Sequence, residues 1–467
     1  MNTGRLRLAY ALLAVVAIAH IVLAIVYANI TPYRTAGRLS YQGWQMVPDI
    51  GTPDERQHAN YVIGLLAGEG LPVYRVNVPD PNNPGKTIRN PELGEIYEDH
   101  QAPLYYILDA GFGKLAGVAE ISARDPSAGL KLRYLNALFG ALTVIGVFFL
   151  AWWGLQRLDV GLLAATIAAL LPMNIALSGA VTNDPLLFCD CTWFLAVCAL
   201  AIRQGWNWKR AVVAGILIGI GLETKDTALA LFPIALCAFY LRRPAKGQGI
   251  TAFALSLLIG APFWIRNQML YGDPLGLKSF KELFAGAMPA SFWLQRDGFI
   301  GYWVNWVGWW TARSFFGAFS YMDIFLNETG TPYTGPGGPN TVYRLLLGLA
   351  VIGGLGFVLA LGKEKRDRRF HLLNGVFLAL IVIFFIRYNI SYFQGQARYF
   401  YPAIGPISIA LAIGGFYWAK SRKRLVAGAI AVILLMLNVY AIVRLPTEFA
   451  RRVSGSSPNP TASLEHP

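Results

Sequence analysis

The chain has 467 residues, 55% hydrophobic and only 14% charged, with 40 Lys and Arg against 26 Asp and Glu and a formal net charge of +14. So apolar a composition excludes an ordinary soluble domain and indicates a polytopic membrane protein. A basic balance on such a chain reflects cytoplasmic loops that obey the positive-inside rule, not nucleic-acid binding. The four cysteines, Cys189, Cys191, Cys198 and Cys237, lie in or beside apolar runs without zinc or redox spacing and read as packing residues.

The first apolar run, residues 8 to 29, follows Arg5 and Arg7 and lacks a small-residue cleavage site, so it is expected to stay as the first span. The loop beyond it, 30 to 131, carries "GTPDERQHANYV". Thr52 with Glu55 three residues on is a capping-box pattern, with Pro53 at the first helical position and Asp54 favoured in the first turn by the helix dipole. The same residues put two carboxylates and His58 where the chain has just left the membrane. Farther along stand Asp99, His100 and Tyr105 in "YEDHQAPLYY", opening a glycine-rich apolar stretch too short for a span and expected to be an interfacial helix.

Runs of spanning length follow at 132 to 153, 160 to 178 and 184 to 202, with Asn183 and Asp184 in the short turn before the last of these. The region 211 to 240 is interrupted by "ETKD", including Lys225, and reads as two shorter helices meeting at one membrane face. After the run 249 to 266, which ends on Arg266, a second large loop covers 267 to 340. Within it the tryptophan-rich segment from Phe299, with Arg313, is laid in the interface, because a crossing there would move "KEKRDRR" to the outside. The last runs are 341 to 361, 370 to 388, 398 to 418 (opened by Arg398) and 425 to 443, giving eleven expected spans in one membrane domain, 1 to 443. Residues 444 to 467, rich in Ser and Pro, read as a disordered tail. Sequons occur at Asn29, Asn327 and Asn389.

With the N-terminus in the cytoplasm, every dense basic cluster ("RLD", "RQGWNWKR", "RRPAKG", "KEKRDRR", "KSRKR") falls on the cytoplasmic side and the tail is external. Asp54, Glu55, His58, Asp99, His100, Asp184, Lys225, Arg266, Arg313 and Arg398 then share the external face. Each has a dull alternative as a cap, an anchor or a snorkelling cation. Ionisable groups at one membrane depth are costly, however, and several together imply pairing around a shared cavity. An apolar groove leading to Lys225, Arg266, Arg313 and Arg398 would suit a polyprenyl chain with a phosphate head, and Asp54 is placed to take a proton from an acceptor hydroxyl.

The quoted motifs, together with "RYLNALFGALTV", "TNDPLL", "GLETKDTAL", "WIRNQMLYGDPLG" and "ARYFYPAIGP", give the chain a resemblance to the lipid-carrier-dependent membrane glycosyltransferases of the C fold (GT-C). That superfamily includes the protein O-mannosyltransferases and the aminoarabinose transferases. The resemblance covers about four-fifths of the chain, although "HQAPLYY" departs from the family's His-Pro-Pro-Leu pattern. It implies an all-α polytopic membrane protein with an external loop layer. It also implies inverting transfer from a polyprenyl-phosphate sugar to a glycan, lipid or protein acceptor outside the cytoplasmic membrane. Asp54 would be the base, Asp184, Glu55 and His58 would share the catalytic centre, and His100, Asp99 and Tyr105 would position acceptor or loop. Asp54, Glu55 and Asp184 could offer oxygens to a divalent cation (Mg or Mn), but Arg and Lys alone can neutralise a monophosphate, so no required metal is expected. The competing reading is a transporter or flippase of lipid-linked sugars; its ionisable groups would sit near the midplane and be exposed alternately to both sides.

Overall fold

The computed structural model describes residues 3–33, 51–118, 129–283, 289–320, 322, 324–326, 341–363 and 365–453. It is an all-α bundle carrying two small antiparallel hairpins, Asn77–Pro79 with Thr87–Arg89 and Ala318–Phe319 with Ile324–Phe325. Eight helices are long and apolar enough to cross a membrane, or nine if one bent pair is a single span. The expected eleven is not reached on this measure. The interrupted region forms two shorter helices, Trp208–Leu222 and Asp226–Leu241, below the roughly 20 residues a straight crossing needs.

The bent pair corrects a second expectation. The run 160 to 178, read as one span, is two helices, Leu158–Leu170 and Pro172–Ser178, meeting at 65°. Pro172 has no N–H to donate and forces its predecessor out of helical geometry, and Leu171 accordingly sits at φ −66°, ψ 116°. The short second arm directs the chain into the turn that carries Asn183 and Asp184.

The helix that follows, Asp184–Gln204, is the centre of the bundle, with 89% of its apolar window buried, against 17% for Thr341–Leu361 and for Lys423–Ala450. It packs along Tyr134–Leu155, and the outer helices turn apolar flanks outward, as a lipid-facing layer must. Small residues set the close approaches: a Cβ at Gly414 would lie 1.7 Å from the Gly353 carbonyl oxygen, so these two spans touch backbone to backbone.

At the end of the bundle where Asp54 lies, the helix Glu55–Ala67 packs on Leu104–Leu115, the expected interfacial helix, through buried Tyr61, Tyr105 and Tyr106. The tryptophan-rich segment is broken at Gly298 (φ 72°) and widens into a π-helical stretch, Gly301–Gly308; it is not among the helices apolar and long enough to cross. The last helix continues past residue 443, the expected end of the membrane domain. The last helix runs Lys423–Val453, since Ala441, Leu445 and Phe449 recur at four-residue spacing and are buried, and Arg444 pairs with Glu448 at 3.6 Å. Residues 454–467 and the sequon Asn327 lie outside the described residues. Asn389 is no glycan acceptor in this fold: it is fully buried, donates to the Phe385 and Gln394 carbonyls (3.0 and 3.2 Å) and accepts from the Gln394 N–H (2.8 Å).

Candidate active site

Asp54 is the residue before the helix Glu55–Ala67, and its backbone is left-handed at φ 61°, ψ 1°. Outside glycine, Asp and Asn are the residues that tolerate this region best. The expected capping box does not form, because Asp54 rather than Thr52 occupies the cap position and makes no side-chain cap bond. Glu55 does not fold back on the helix end either. It turns inward, where Oε1 and Oε2 accept from Arg133 at 2.7 and 2.6 Å and Oε1 also accepts from the Val181 N–H at 2.9 Å. Arg133, fully buried, donates further to the carbonyls of Ala28, Thr31 (2.6 Å) and Pro32 (2.9 Å). One guanidinium therefore ties the end of the first span, the Asp54 loop and the start of the second span together, and through Glu55 it reaches the turn before Asp184.

The left-handed turn points the Asp54 carboxylate away from this fork into a second group of charges. Oδ1 accepts from the Tyr97 hydroxyl at 2.5 Å, and Oδ2 from Arg398. Arg398 also stands 3.9 Å from Asp184 and over the ring of Tyr399, 5.3 Å from its centroid. Asp184 accepts from Lys225 at 2.7 Å, and Lys225 reaches Asn183 Oδ1 at 3.3 Å. The result is an alternating row, Asp54, Arg398, Asp184, Lys225, drawn from the loop after the first span, the 397–419 span, the 184–204 span and the turn at 223–225. Removal from water would raise the Asp54 carboxyl, but the Arg398 guanidinium and the Tyr97 hydroxyl outweigh it and hold the group well below the usual carboxylate range. Burial likewise disfavours the Lys225 ammonium, and the adjacent Asp184 carboxylate more than restores it. At an effective dielectric near 20, opposite charges about 4 Å apart attract by roughly 4 kcal/mol, enough to keep such a row ionised away from bulk water.

His58, one turn along the helix from Asp54, is 1% exposed; its Nδ1 lies 2.8 Å from the Tyr106 hydroxyl and 4.0 Å from Glu98. Burial lowers its pKa, against the opposing pull of Glu98 and Asp54. Glu98, whose own carboxyl is raised by burial, accepts from Gln101 at 2.9 Å. Asp99 is pushed up to about 7 by burial and by neighbouring Glu98 and Glu69. His100 holds the backbone, with Nδ1 2.6 Å from the Tyr97 carbonyl oxygen. Tyr105 is framework: its hydroxyl accepts from Thr182 N–H and Asn136 (both 3.0 Å), fixing the turn before Asp184.

Two expected members stand elsewhere. Arg266 clamps the first loop, donating to the Leu71 and Pro72 carbonyls at 3.2 and 2.6 Å. Arg313, 1% exposed, lies against rings, 4.2 Å from the Phe325 centroid and 5.5 Å from that of Trp310. Charge and side of the membrane grouped these two with Lys225 and Arg398; their partners separate them. Conversely, Tyr97 and Glu98 were missed although they open the same "YEDH" motif as Asp99 and His100, because an aromatic at a loop turn carries no distinctive local pattern. Arg133 was missed because a basic residue at the start of a span reads as an interfacial anchor.

Asp54 is engaged by Arg398 and Tyr97, Glu55 by Arg133, and Asp184 through Oδ1 by Lys225, while Asp184 Oδ2 is buried without a hydrogen-bond partner among the described residues. Among the described residues no three His, Cys, Asp or Glu side chains converge as metal ligands.

Residues 118–264 match the family model of dolichyl-phosphate-mannose-protein mannosyltransferase, a glycosyltransferase family. The matched stretch contains Arg133, Asp184 and Lys225, but not Asp54 or Arg398. No curated protein matches the chain in sequence. In three dimensions it is similar to the oligosaccharyltransferase of Archaeoglobus fulgidus in complex with Zn and sulfate, at 15% identity over 92% of this chain and 53% of that one, with a TM-score of 0.52. It is also similar to the oligosaccharyltransferase AglB of that organism in complex with an inhibitory peptide and a dolichol-phosphate (14% identity, 97% and 56% of the two chains, TM-score 0.52). A third similar structure is ArnT from Cupriavidus metallidurans bound to undecaprenyl phosphate (14%, 98% and 79%, TM-score 0.50). The chain spans about half the length of the oligosaccharyltransferases. What it shares with these structures is the fold, that of the GT-C polytopic membrane glycosyltransferases.

Proposed function

We propose that this chain is an integral-membrane glycosyltransferase that moves a sugar from a polyprenyl-phosphate donor to an acceptor hydroxyl on the extracytoplasmic side of the cytoplasmic membrane, with inversion. The observation that carries the reading is the row Asp54, Arg398, Asp184 and Lys225 at one end of a membrane bundle, with Arg398 on both carboxylates and Lys225 on Asp184. The similar structures that hold dolichol-phosphate or undecaprenyl phosphate support the choice of carrier.

In this reading Lys225 and Arg398 receive the donor phosphate and Asp54 faces the acceptor. The acceptor oxygen forms its bond to the anomeric carbon from the side opposite the phosphate. The bond from that carbon to the phosphate oxygen breaks, and its electron pair stays with the leaving polyprenyl phosphate, stabilised by the two cations. The acceptor proton passes to Asp54. Asp184 holds Lys225 and faces Arg398, so it positions both cations.

The test is turnover of a polyprenyl-phosphate sugar by the purified chain in nanodiscs. Asp54→Asn keeps a residue that tolerates the left-handed backbone and is expected to fold, to bind donor, and to lose transfer by roughly a hundredfold or more, the scale of a lost general base. An Asp54→Asn protein that turns over like wild type would remove the base assignment. Donor movement across the bilayer without any sugar transfer would show a transporter instead.

A further inference from the structure

The hydrocarbon core of a bilayer is about 30 Å thick, and two helices of this bundle fall short of it. Trp208–Leu222 rises about 22 Å, and Asp226–Leu241, which opens with a 3-10 turn, about 26 Å; tilt only shortens the rise. Their shared turn is tied to the start of the Asp184–Gln204 span by the 2.7 Å bond from Lys225 to Asp184. The shortfall therefore lies at the opposite end, on the loops beside Trp208 and Leu241. A bilayer meets such a short element by thinning locally, while long cations at its edge snorkel to the headgroups.

Those two loops touch. A Cβ at Gly205 would stand 3.6 Å from the Arg242 guanidinium, and one at Gly247 would stand 2.9 Å from the ring of Trp208, which is 57% exposed. The segments "RQGWNWKR" and "RRPAKGQG" bring six cations here and no carboxylate. Two of the six are used inside the protein: Arg203 pairs with Asp367 at 3.3 Å, and Arg210 donates to the Gly205 carbonyl and to Gln204 Oε1 (2.6 Å). Lys209, Arg242, Arg243 and Lys246 are exposed and make no hydrogen bond or ion pair among the described residues. At the same end of the bundle, by contrast, Arg157 and Lys423 share Asp159, at 3.4 and 3.5 Å.

We propose that Lys209, Arg242, Arg243 and Lys246, with Trp208 between the loops, form a binding site for an anionic phospholipid headgroup at the end of the bundle opposite the Asp54 row. The lipid phosphate accepts from the free guanidinium and ammonium groups, and its negative charge supplies what these loops lack. The Trp208 indole stands at the headgroup level that suits an amphipathic ring. The bound lipid braces two short helices whose far turn carries Lys225. The site is independent of the transferase reading, and its test needs no turnover.

The experiment uses the full chain in detergent, with palmitoyl-oleoyl phosphatidylglycerol and phosphatidylcholine as probes and lipid adducts counted by native mass spectrometry. Wild type is compared with a variant carrying Lys209→Gln, Arg242→Gln, Arg243→Gln and Lys246→Gln. A charge-matched control carries Lys363→Gln, Arg366→Gln, Arg368→Gln and Arg369→Gln, all exposed. Wild type is expected to prefer phosphatidylglycerol. Each cation near an anionic headgroup is worth about fivefold in affinity, so the first variant should lose phosphatidylglycerol binding by roughly a hundredfold or more and Arg243→Gln alone by about fivefold. The control should stay within about fivefold of wild type. Thermal unfolding without lipid should give all four proteins the same Tm, and added phosphatidylglycerol should raise it in wild type and control but not in the first variant. Equal binding of the two lipids by wild type overturns the inference. So does wild-type affinity in both the fourfold variant and Arg243→Gln, or a loss in the control as large as in the first variant, which would show attraction to basic charge in general.

Discussion

Glu55→Gln is the substitution on which sequence and structure disagree most sharply. As part of a helix cap it would be nearly silent, since glutamine serves a capping box as well as glutamate. In the fold, Glu55 is 2% exposed and supplies the only carboxylate paired with Arg133 among the described residues, through bonds of 2.7 and 2.6 Å. Glutamine keeps one acceptor oxygen and turns an NH2 toward a guanidinium that has only donors to offer. With that oxygen at the Oε1 position it still accepts from Arg133 Nε and the Val181 N–H, so the loss falls on the Oε2 side, where Arg133 Nη2 meets the amide NH2. Removing one partner of a buried pair costs about 3–5 kcal/mol, a change of roughly 10²–10⁴ in the ratio of ordered to opened forms. The opening frees the Asp54 loop from both spans, so Asp54 loses its register with Arg398. Thermal unfolding in nanodiscs, followed alongside turnover, should show a clear drop in Tm and a loss of activity for Glu55→Gln, and a loss of activity with a smaller drop in Tm for Asp54→Asn, because Arg398 keeps Asp184 at 3.9 Å. Adding Arg133→Gln should recover part of the stability, since no buried charge is then left unpaired. A Glu55→Gln protein with wild-type Tm would refute the fork as the anchor of this loop.

Arg398→Gln and Lys225→Met should each weaken binding of undecaprenyl phosphate at least about tenfold, consistent with one charge-assisted contact to phosphate, while Arg266→Gln should leave it within about twofold; equal affinity in all three variants would dissolve the phosphate assignment. Asp99 gives a pH signature. Its carboxyl is raised from 3.8 to about 7 in the fold, so the folded state binds the extra proton, and this group's contribution to stability is full below about pH 4 and is lost as pH rises to about 7. Asp99→Asn should therefore raise Tm relative to wild type at pH 8 and not at pH 4, and an equal effect at both would show that Asp99 ionises normally.

Hydropathy is a local property, and the bilayer enforces it segment by segment, so each of the eleven apolar runs is a helix or a bent helix pair in the fold. Charge location is local too, which is how Asp54, Asp184, Lys225 and Arg398 could be assigned to one face from sequence alone. The spanning count shows the limit of that reading. Leu171–Pro172 splits a run that composition makes continuous, and two helices after Gln204 are too short to cross straight. Which polar residues meet was decided only by tertiary structure. The rotation of each helix about its axis and the backbone at Asp54 sent Glu55 inward to Arg133 and Asp54 outward to Arg398, although the two are adjacent in the chain. Arg313 and Arg398 carry the same charge on the same side, yet one was directed into aromatic rings and the other between two aspartates. A sequence records where a charge must lie relative to the membrane, because water and lipid act on every residue separately. It does not record which partner that charge finds, because partners come from segments as far as 344 residues apart and are selected by packing.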